Sequence, residues 1–255
     1  MRIAILFRGA ISKIEGKLKQ SGDTNRLDAY VNFACVKNSI QKHIINCNPE
    51  CQFDIFIHNW NEDIKDELIK LYSPKQYLFE NNEIYKQLII DKLQYCNTNN
   101  QGYPQVSQAL SLSKVCSILN DTPNHYDKII IYRPDLFLWK DMKMEDYDVS
   151  SKIFVNNYDN GRGDFHFVMN QVNAINFGKM INHISSDLRP LQHEHIHRYI
   201  QTVLHINLVM DNIIAGRDQE IVRKLNHIVE AGIISEKQLN EYGITIQEIQ
   251  TYNAD

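Results

Sequence analysis

The chain has 255 residues, 43% hydrophobic and 23% charged, with 27 Lys and Arg against 31 Asp and Glu and a formal net charge of −4. This composition excludes fibrous, low-complexity and disulfide-scaffold chains, and its near-neutral balance leaves no electrostatic footprint for nucleic acid. The length fits one large domain, or one domain with an appendage, able to bury a substantial core.

Short apolar runs alternate with segments of helical period, the pattern of an α/β sheet. Ile3-Ala4-Ile5-Leu6-Phe7 predicts a buried first strand. Arg8 ends this run short of the roughly 7–15 apolar residues of a secretory signal, and no run approaches the ~20 needed to cross a bilayer. The expected location is therefore the cytosol. Leu27, Tyr30, Val31, Ala34 and Cys35 fall on one helical stripe, which Asp23 or Thr24 can cap. Residues 53–57 predict a second strand, and Asn61 stands where it can cap a helix with the stripe Ile64, Leu68, Leu71 and Tyr72. Residues 76–80 read as a weaker third strand, followed by helices around 84–95 and 104–119.

Residues 128–132 hold three consecutive Ile, favouring a fully buried parallel strand. Short strands at 153–155 and 165–169, then helices near 174–184 and 191–204, complete the main body. Residues 217–255 carry four basic against seven acidic side chains and read as a helical tail. The expected division is thus a main domain over 1–216 and an appendage over 217–255. The five cysteines, 35, 47, 51, 96 and 116, are odd in number and lack paired C-x-x-C spacing. They read as buried or free thiols of a reducing compartment.

In open parallel sheets, ligands bind outside the carboxyl ends of the strands, so the residues that follow each apolar run are the candidates. The first strand is followed by Arg8-Gly9, the second by His58-Asn59-Trp60, and the Ile-rich strand by Arg133-Pro134-Asp135. The next run leads to Asn156, Asn157 and Asp159, then Gly161-Arg162-Gly163-Asp164. Two arginines and several carboxylates on one rim suit an anionic, phosphorylated ligand, with a carboxylate available to a divalent metal. Pro134 stiffens the turn that aims Asp135 into the crevice, and alternation along an extended segment puts Arg133 on the same side. Gly161 and Gly163 allow Asp164 to approach a substrate closely. The bland readings stand beside these: surface pairing for Arg8, packing for His58 and Trp60, and a plain hairpin turn around Asp164. Gly161-x-Gly163 lacks the rest of a dinucleotide fingerprint and precedes a strand, so it is no Rossmann signature.

His193-Glu194-His195-Ile196-His197 satisfies H-E-x-x-H. On a helix beginning after Pro190, His193 and His197 lie one turn apart as zinc ligands require, with Glu194 as the base. The longer metzincin pattern does not continue from it. A zinc-dependent hydrolase is therefore one rival reading. A non-catalytic, transferase-like assembly partner is another.

Arg8-Gly9, the run Phe56-Ile57-His58-Asn59-Trp60, and the run from Tyr126 through Arg133-Pro134-Asp135 together resemble bacterial sugar transferases of the GT-A type found in capsule and lipooligosaccharide gene clusters. The preceding helix with Gln108, Ser111, Ser113 and Lys114 fits the likeness, as does Gly163-Asp164-Phe165-His166-Phe167. The likeness covers residues 1–205.

The resemblance implies a GT-A-like (Rossmann-like), mostly parallel open sheet flanked by helices. It also implies a nucleotide-sugar donor across the strand ends and an Asp-x-Asp-like motif holding Mn²⁺ or Mg²⁺. Carried over, Asp135 is the metal or donor-sugar carboxylate, and Arg8, Gly9, His58 and Arg133 are donor-side contacts. Arg133 stands where the first Asp of the motif belongs, so it can itself neutralise the diphosphate. A late histidine, among His193, His195, His197 and His205, would complete a metal shell. An inverting transfer needs a base for the acceptor hydroxyl, for which Asp164 and Glu194 are candidates. The implied partners are the donor and a glycan or lipid-linked glycan acceptor, with peripheral contact to the inner membrane and a homodimer as further expectations.

Overall fold

The strands that begin at residues 2, 52 and 128 lie side by side in one sheet. The computed structural model describes residues 1–10, 33–95, 102–157, 163–185, 194–222 and 225–251. The strands are β1 (Arg2–Gly9), β2 (Gln52–Asn59), β3 (Gln76–Phe79), β4 (Lys128–Tyr132), β5 (Leu136–Leu138), β6 (Lys152–Asn157), β7 (His166–Met169), β8 (Asn207–Ile214) and β9 (Gln219–Ile221). Seven form a sheet in the order β3-β2-β1-β4-β7-β6-β8, while β5 and β9 pair as a separate antiparallel ribbon. The neighbours β3, β2, β1 and β4 run parallel, as do β6 and β8; β7 alone runs against its neighbours. This is the expected α/β architecture, a mostly parallel open sheet flanked by helices.

The pleat sorts the first strand between two cores. Ile3, Ile5 and Phe7 enter one apolar cluster and Ala4 and Leu6 the other, all essentially inaccessible. Ile129, Ile130 and Ile131 are fully buried the same way, each worth about 1.5–3 kcal/mol of apolar transfer. The helices are α1 (Phe33–Ile40), α2 (Lys65–Tyr72), α3 (Lys86–Leu93), α4 (Tyr103–Asn120), α5 (Gln171–Phe177), α6 (Glu194–Arg198), α7 (Leu225–Glu230), α8 (Glu236–Asn240) and α9 (Ile246–Thr251). The longest, α4, starts with Pro104 in its first turn, where a missing N–H costs nothing. It packs across β1 and β2.

Several expectations change. The stripe from Leu27 falls mostly outside the described residues, and the helix seen is α1. The segment expected as one helix over 191–204 is described from Glu194 and passes from α6 into a wider π-type turn at Tyr199–Val203. Asn61 precedes a 3-10 turn at Glu62–Ile64 without a side-chain cap hydrogen bond. Three strands had no counterpart in the sequence reading: β5, β8 and β9. The last corrects the all-helical tail, since Gln219–Ile221 pairs with Leu136–Leu138. Beyond it, α7, α8 and α9 bring Leu225, Ile228, Leu239 and Ile249 into the same cluster as Ile3 and Ile5.

Cys35, Cys47, Cys51 and Cys116 are thiols rather than halves of disulfides; Cys96 lies outside the described residues. Among the described residues, no helix is long and apolar enough to cross a membrane.

Candidate active site

Arg8 sits at the carboxyl end of β1 and is 4% exposed. Its Nη2 donates to the backbone carbonyl of Asp164 at 2.7 Å. Burial pulls this guanidinium down to about 10; the Asp164 and Asp135 carboxylates oppose that fall, and Arg133 adds to it. It remains a cation at neutral pH. The next residue, Gly9, has φ +112°, a region that side chains strain to enter. That bend lets its carbonyl accept the N–H of Trp60 at 3.1 Å.

Arg133 and Asp135 follow β4, and the extended segment expected there is instead a turn at Pro134–Asp135, with the Leu136 N–H donating to the Arg133 carbonyl at 3.3 Å; the turn, not strand alternation, brings the two side chains together. The guanidinium grips the carboxylate with both arms, Nε to Oδ1 and Nη2 to Oδ2, each at 2.8 Å. Burial works against the Arg133 charge, but Asp135 outweighs it and holds the group above its ordinary value, with smaller help from Asp164 and Glu220. Arg133 also lies over the ring of Phe165 at 5.7 Å. Asp135 is anchored from behind, its carbonyl accepting the N–H of Val222 at 2.9 Å. The β5–β9 ribbon thus brings buried Glu220 into the electrostatic reach of Arg133.

The segment 163–165 is clamped on every side. A side chain at Gly163 would place its Cβ 2.1 Å from the carbonyl oxygen of Asn156, so only glycine fits. The Gly163 carbonyl meets Nε2 of His197 at 3.0 Å, and the Phe165 N–H donates to Asn156 Oδ1 at 2.9 Å. Between them, Asp164 receives Arg8 on its carbonyl and Gln108 Nε2 on its carboxylate at 3.0 Å. Arg8, Arg133, Asp135 and Asp164 therefore gather at one mouth of the sheet, with two positive and two negative charges. Gln108, read from the sequence only as part of a helix that fits the likeness, joins them. Glu220 was missed, because a three-residue polar strand carries no apolar signal.

His58 has a different setting. It is the register partner of Arg8 on the adjacent strand and shares its face, under α4. Yet it is fully buried, with Nδ1 on Ser111 Oγ at 2.7 Å, Nε2 facing Glu80 Oε1 at 3.2 Å, and Trp60 packed edge-on at 4.4 Å. Gln108 and Ser111 stand three residues apart on α4, so one helix face holds both Asp164 and His58. Ser111–His58–Glu80 has the connectivity of a hydrolytic triad, but Ser111 is fully buried and meets no substrate. Burial raises the Glu80 carboxyl, and hydrogen bonds from His58 and Tyr85, with the charge of Lys114, outweigh it and bring it down to about 2.

Of the H-E-x-x-H segment, His193 lies outside the described residues, Glu194 and His195 lie on α6, and His197 is the histidine that meets Gly163. Among the described residues no group of three or more His, Cys, Asp or Glu is disposed to hold a metal ion. At Asp135 the Arg133 guanidinium takes one lone pair on each carboxylate oxygen, so a Mn²⁺ or Mg²⁺ there would have to share that carboxylate with a fixed cation. Chemically, the mouth suits an anion with several oxygens, bound by two arginines, with carboxylates beside it to accept protons or hydroxyls.

No family model matches the chain, and no curated protein matches it. Two of the solved structures similar to it illustrate the likeness. One, from Desulfovibrio desulfuricans G20, is a protein proposed to be a nucleotide-diphospho-sugar transferase, with TM-score 0.47 and 11% identity over 98% of this chain and 97% of that chain. The other is a cytidylyltransferase from Leptospira borgpetersenii serovar Hardjo-bovis (strain JB197), with TM-score 0.42 and 12% identity over 83% of this chain and 76% of that chain. At these scores neither likeness carries an argument about this chain's chemistry.

Proposed function

We propose that the chain is a glycosyltransferase that moves a sugar from a nucleotide-sugar donor onto a growing bacterial surface glycan of capsule or lipooligosaccharide type. The observation that carries this reading is the gathering of Arg8 and Arg133 with Asp135 and Asp164 at the carboxyl ends of β1 and β4. In the transfer, the bond from the sugar's anomeric carbon to the diphosphate oxygen breaks, and its electron pair leaves with the diphosphate. Preorganised positive charge where that anion develops is the largest help a protein can give. Arg8 is buried and fixed, so it supplies this without reorganising. Arg133 can turn one or both arms from Asp135 to a phosphate, leaving the carboxylate to hold sugar hydroxyls. The acceptor oxygen bonds to the anomeric carbon, and its proton passes to a base, for which Asp164 is the better-held candidate and Glu194 the other. On this reading the arginines, rather than Mn²⁺ or Mg²⁺, neutralise most of the diphosphate charge.

The test is thermal unfolding with millimolar UDP, GDP and CMP, each with Mn²⁺ and with EDTA. A ligand at about a hundred times its Kd stabilises by roughly 2.7 kcal/mol, so one nucleotide should raise the midpoint by several degrees and keep that effect in EDTA. No shift with any of the three overturns the proposal.

A further inference from the structure

A concave site lies where the edge strand β8 meets β6 and the loop after β5. It encloses about 410 Å³, within the roughly 300–1,000 Å³ of small-molecule sites. None of its lining residues belongs to the Arg8–Asp164 group.

A built feature of the sheet makes this cavity. Val155 pairs with Met210 and Asn157 with Ile214, so β8 advances four residues (210 to 214) while β6 advances two (155 to 157). Such bulges re-aim side chains and recur beside functional sites. The three residues between those pairs, Asp211, Asn212 and Ile213, all line the cavity. Asp211 is 6% exposed and held in place: Oδ2 accepts Tyr147 OH at 2.7 Å and faces His166 Nε2 at 2.8 Å. Burial raises this carboxyl, and His166 and Tyr147 outweigh it and keep it ionised.

The lining chemistry selects the ligand. Tyr147 and Phe154 make an aromatic corner, rings edge-to-face at 5.1 Å, and Met210 adds an apolar wall that is 40% exposed. The charged side chains of the lining cancel in sum, Lys140, Lys143 and Arg217 against Asp141, Asp146 and Asp211, so the wall as a whole favours neither an anion nor a cation. An aromatic corner beside a fixed carboxylate and the amides of Asn157 and Asn212 instead matches the apolar faces and hydroxyls of a sugar ring. We propose that this cavity binds a neutral saccharide unit, as a site separate from the arginine mouth. It does not rest on the transferase reading.

The test is saturation-transfer NMR with neutral mono- and disaccharides (glucose, galactose, N-acetylglucosamine and lactose) on the full chain, followed also by Trp139 fluorescence. The Trp139 indole donates to the carbonyl of Arg217, a lining residue, at 2.6 Å, so filling the cavity should perturb it. Saturable millimolar binding is expected. It should weaken at least tenfold in Met210→Trp, which fills the space, and in Asn157→Ala, which removes a polar contact. Asp164→Asn should leave it unchanged. The proposal is overturned by no saturable binding up to about 50 mM, by binding of inorganic phosphate instead, or by binding that survives Met210→Trp but fails in Asp164→Asn. That last pattern would put the sugar in the arginine mouth and leave the transferase reading standing.

Discussion

Arg133 closes a two-armed grip on Asp135, two residues along the chain, with both hydrogen bonds at 2.8 Å. The pair is mostly out of solvent, with side chains 24% and 4% exposed. Asp135→Asn keeps the shape but removes the charge, leaving a partly buried guanidinium with a neutral partner. Loss of a charged hydrogen bond is worth about 1.5–3 kcal/mol, so a urea titration should show a loss in that range. Turnover should fall at least a hundredfold. Arg133→Lys should be nearly as damaging to nucleotide affinity, because an ammonium cannot reproduce the fork. Unchanged nucleotide affinity in both variants would remove this pair from the site.

Gly163→Ala forces a methyl to within 2.1 Å of the Asn156 carbonyl. The backbone must move, and with it the Asp164 carbonyl that holds Arg8. A loss of about 2–4 kcal/mol in folding stability is expected, in the upper part of the range for single substitutions. Nucleotide affinity should drop together with stability. A melting point within a degree of wild type would show that the clamp is loose.

Deleting residues 217–255 should abolish folding, because Ile221, Leu239, Ile244 and Ile249 lie in one cluster with β1. The truncated chain should show exposed apolar surface by dye binding and no cooperative melt. A soluble truncate with a sharp transition would show the tail to be dispensable to the core.

Stability should fall in two steps on acidification. Burial lowers His43 and His58 below the ordinary histidine value, against their partners Asp141 and Glu80 and with small help from Lys42 and Lys114. The unfolded chain, titrating near 6.5, takes up those protons first, so native stability is full above that pH and declines as pH drops below it. Glu80, held at about 2 in the native state, adds a second loss as pH falls from about 4.5. Urea midpoints at pH 7.5, 5.5 and 3.5 should decrease in that order, and His43→Phe should flatten the first interval. A midpoint that rises between pH 7.5 and 5.5 contradicts this assignment.

The sheet was legible where strands are buried on both faces. β1 and β4 announce themselves as continuous apolar runs because their central residues meet apolar contact on both faces, and β2 does so despite Asp54, which pairs with Arg2 and Lys75. β8 was hidden because Asp211 and Asn212 interrupt its pattern at the bulge. β9 was hidden because Gln219 and Glu220 are buried through hydrogen bonds, to His166 and to the Ile221 N–H, rather than through apolar packing. For the candidate site, looking past each strand end pointed to Arg8, Arg133, Asp135 and Asp164, which the fold brings near one another because strand ends share one rim. The same rule also picked His58. It lies beside Arg8 as expected, but which side chain a helix will cover depends on Ser111 and Glu80, distant in sequence.

An open sheet has two margins along which a foreign strand can be recruited. One margin here, β3, is only four residues long. The other, β8, breaks its own hydrogen-bonding line with a two-residue excess and turns a charged residue inward. Kinks and inward charges of this kind deny a docking template, so the cavity-forming irregularity also protects crowded copies of the chain from growing into fibres.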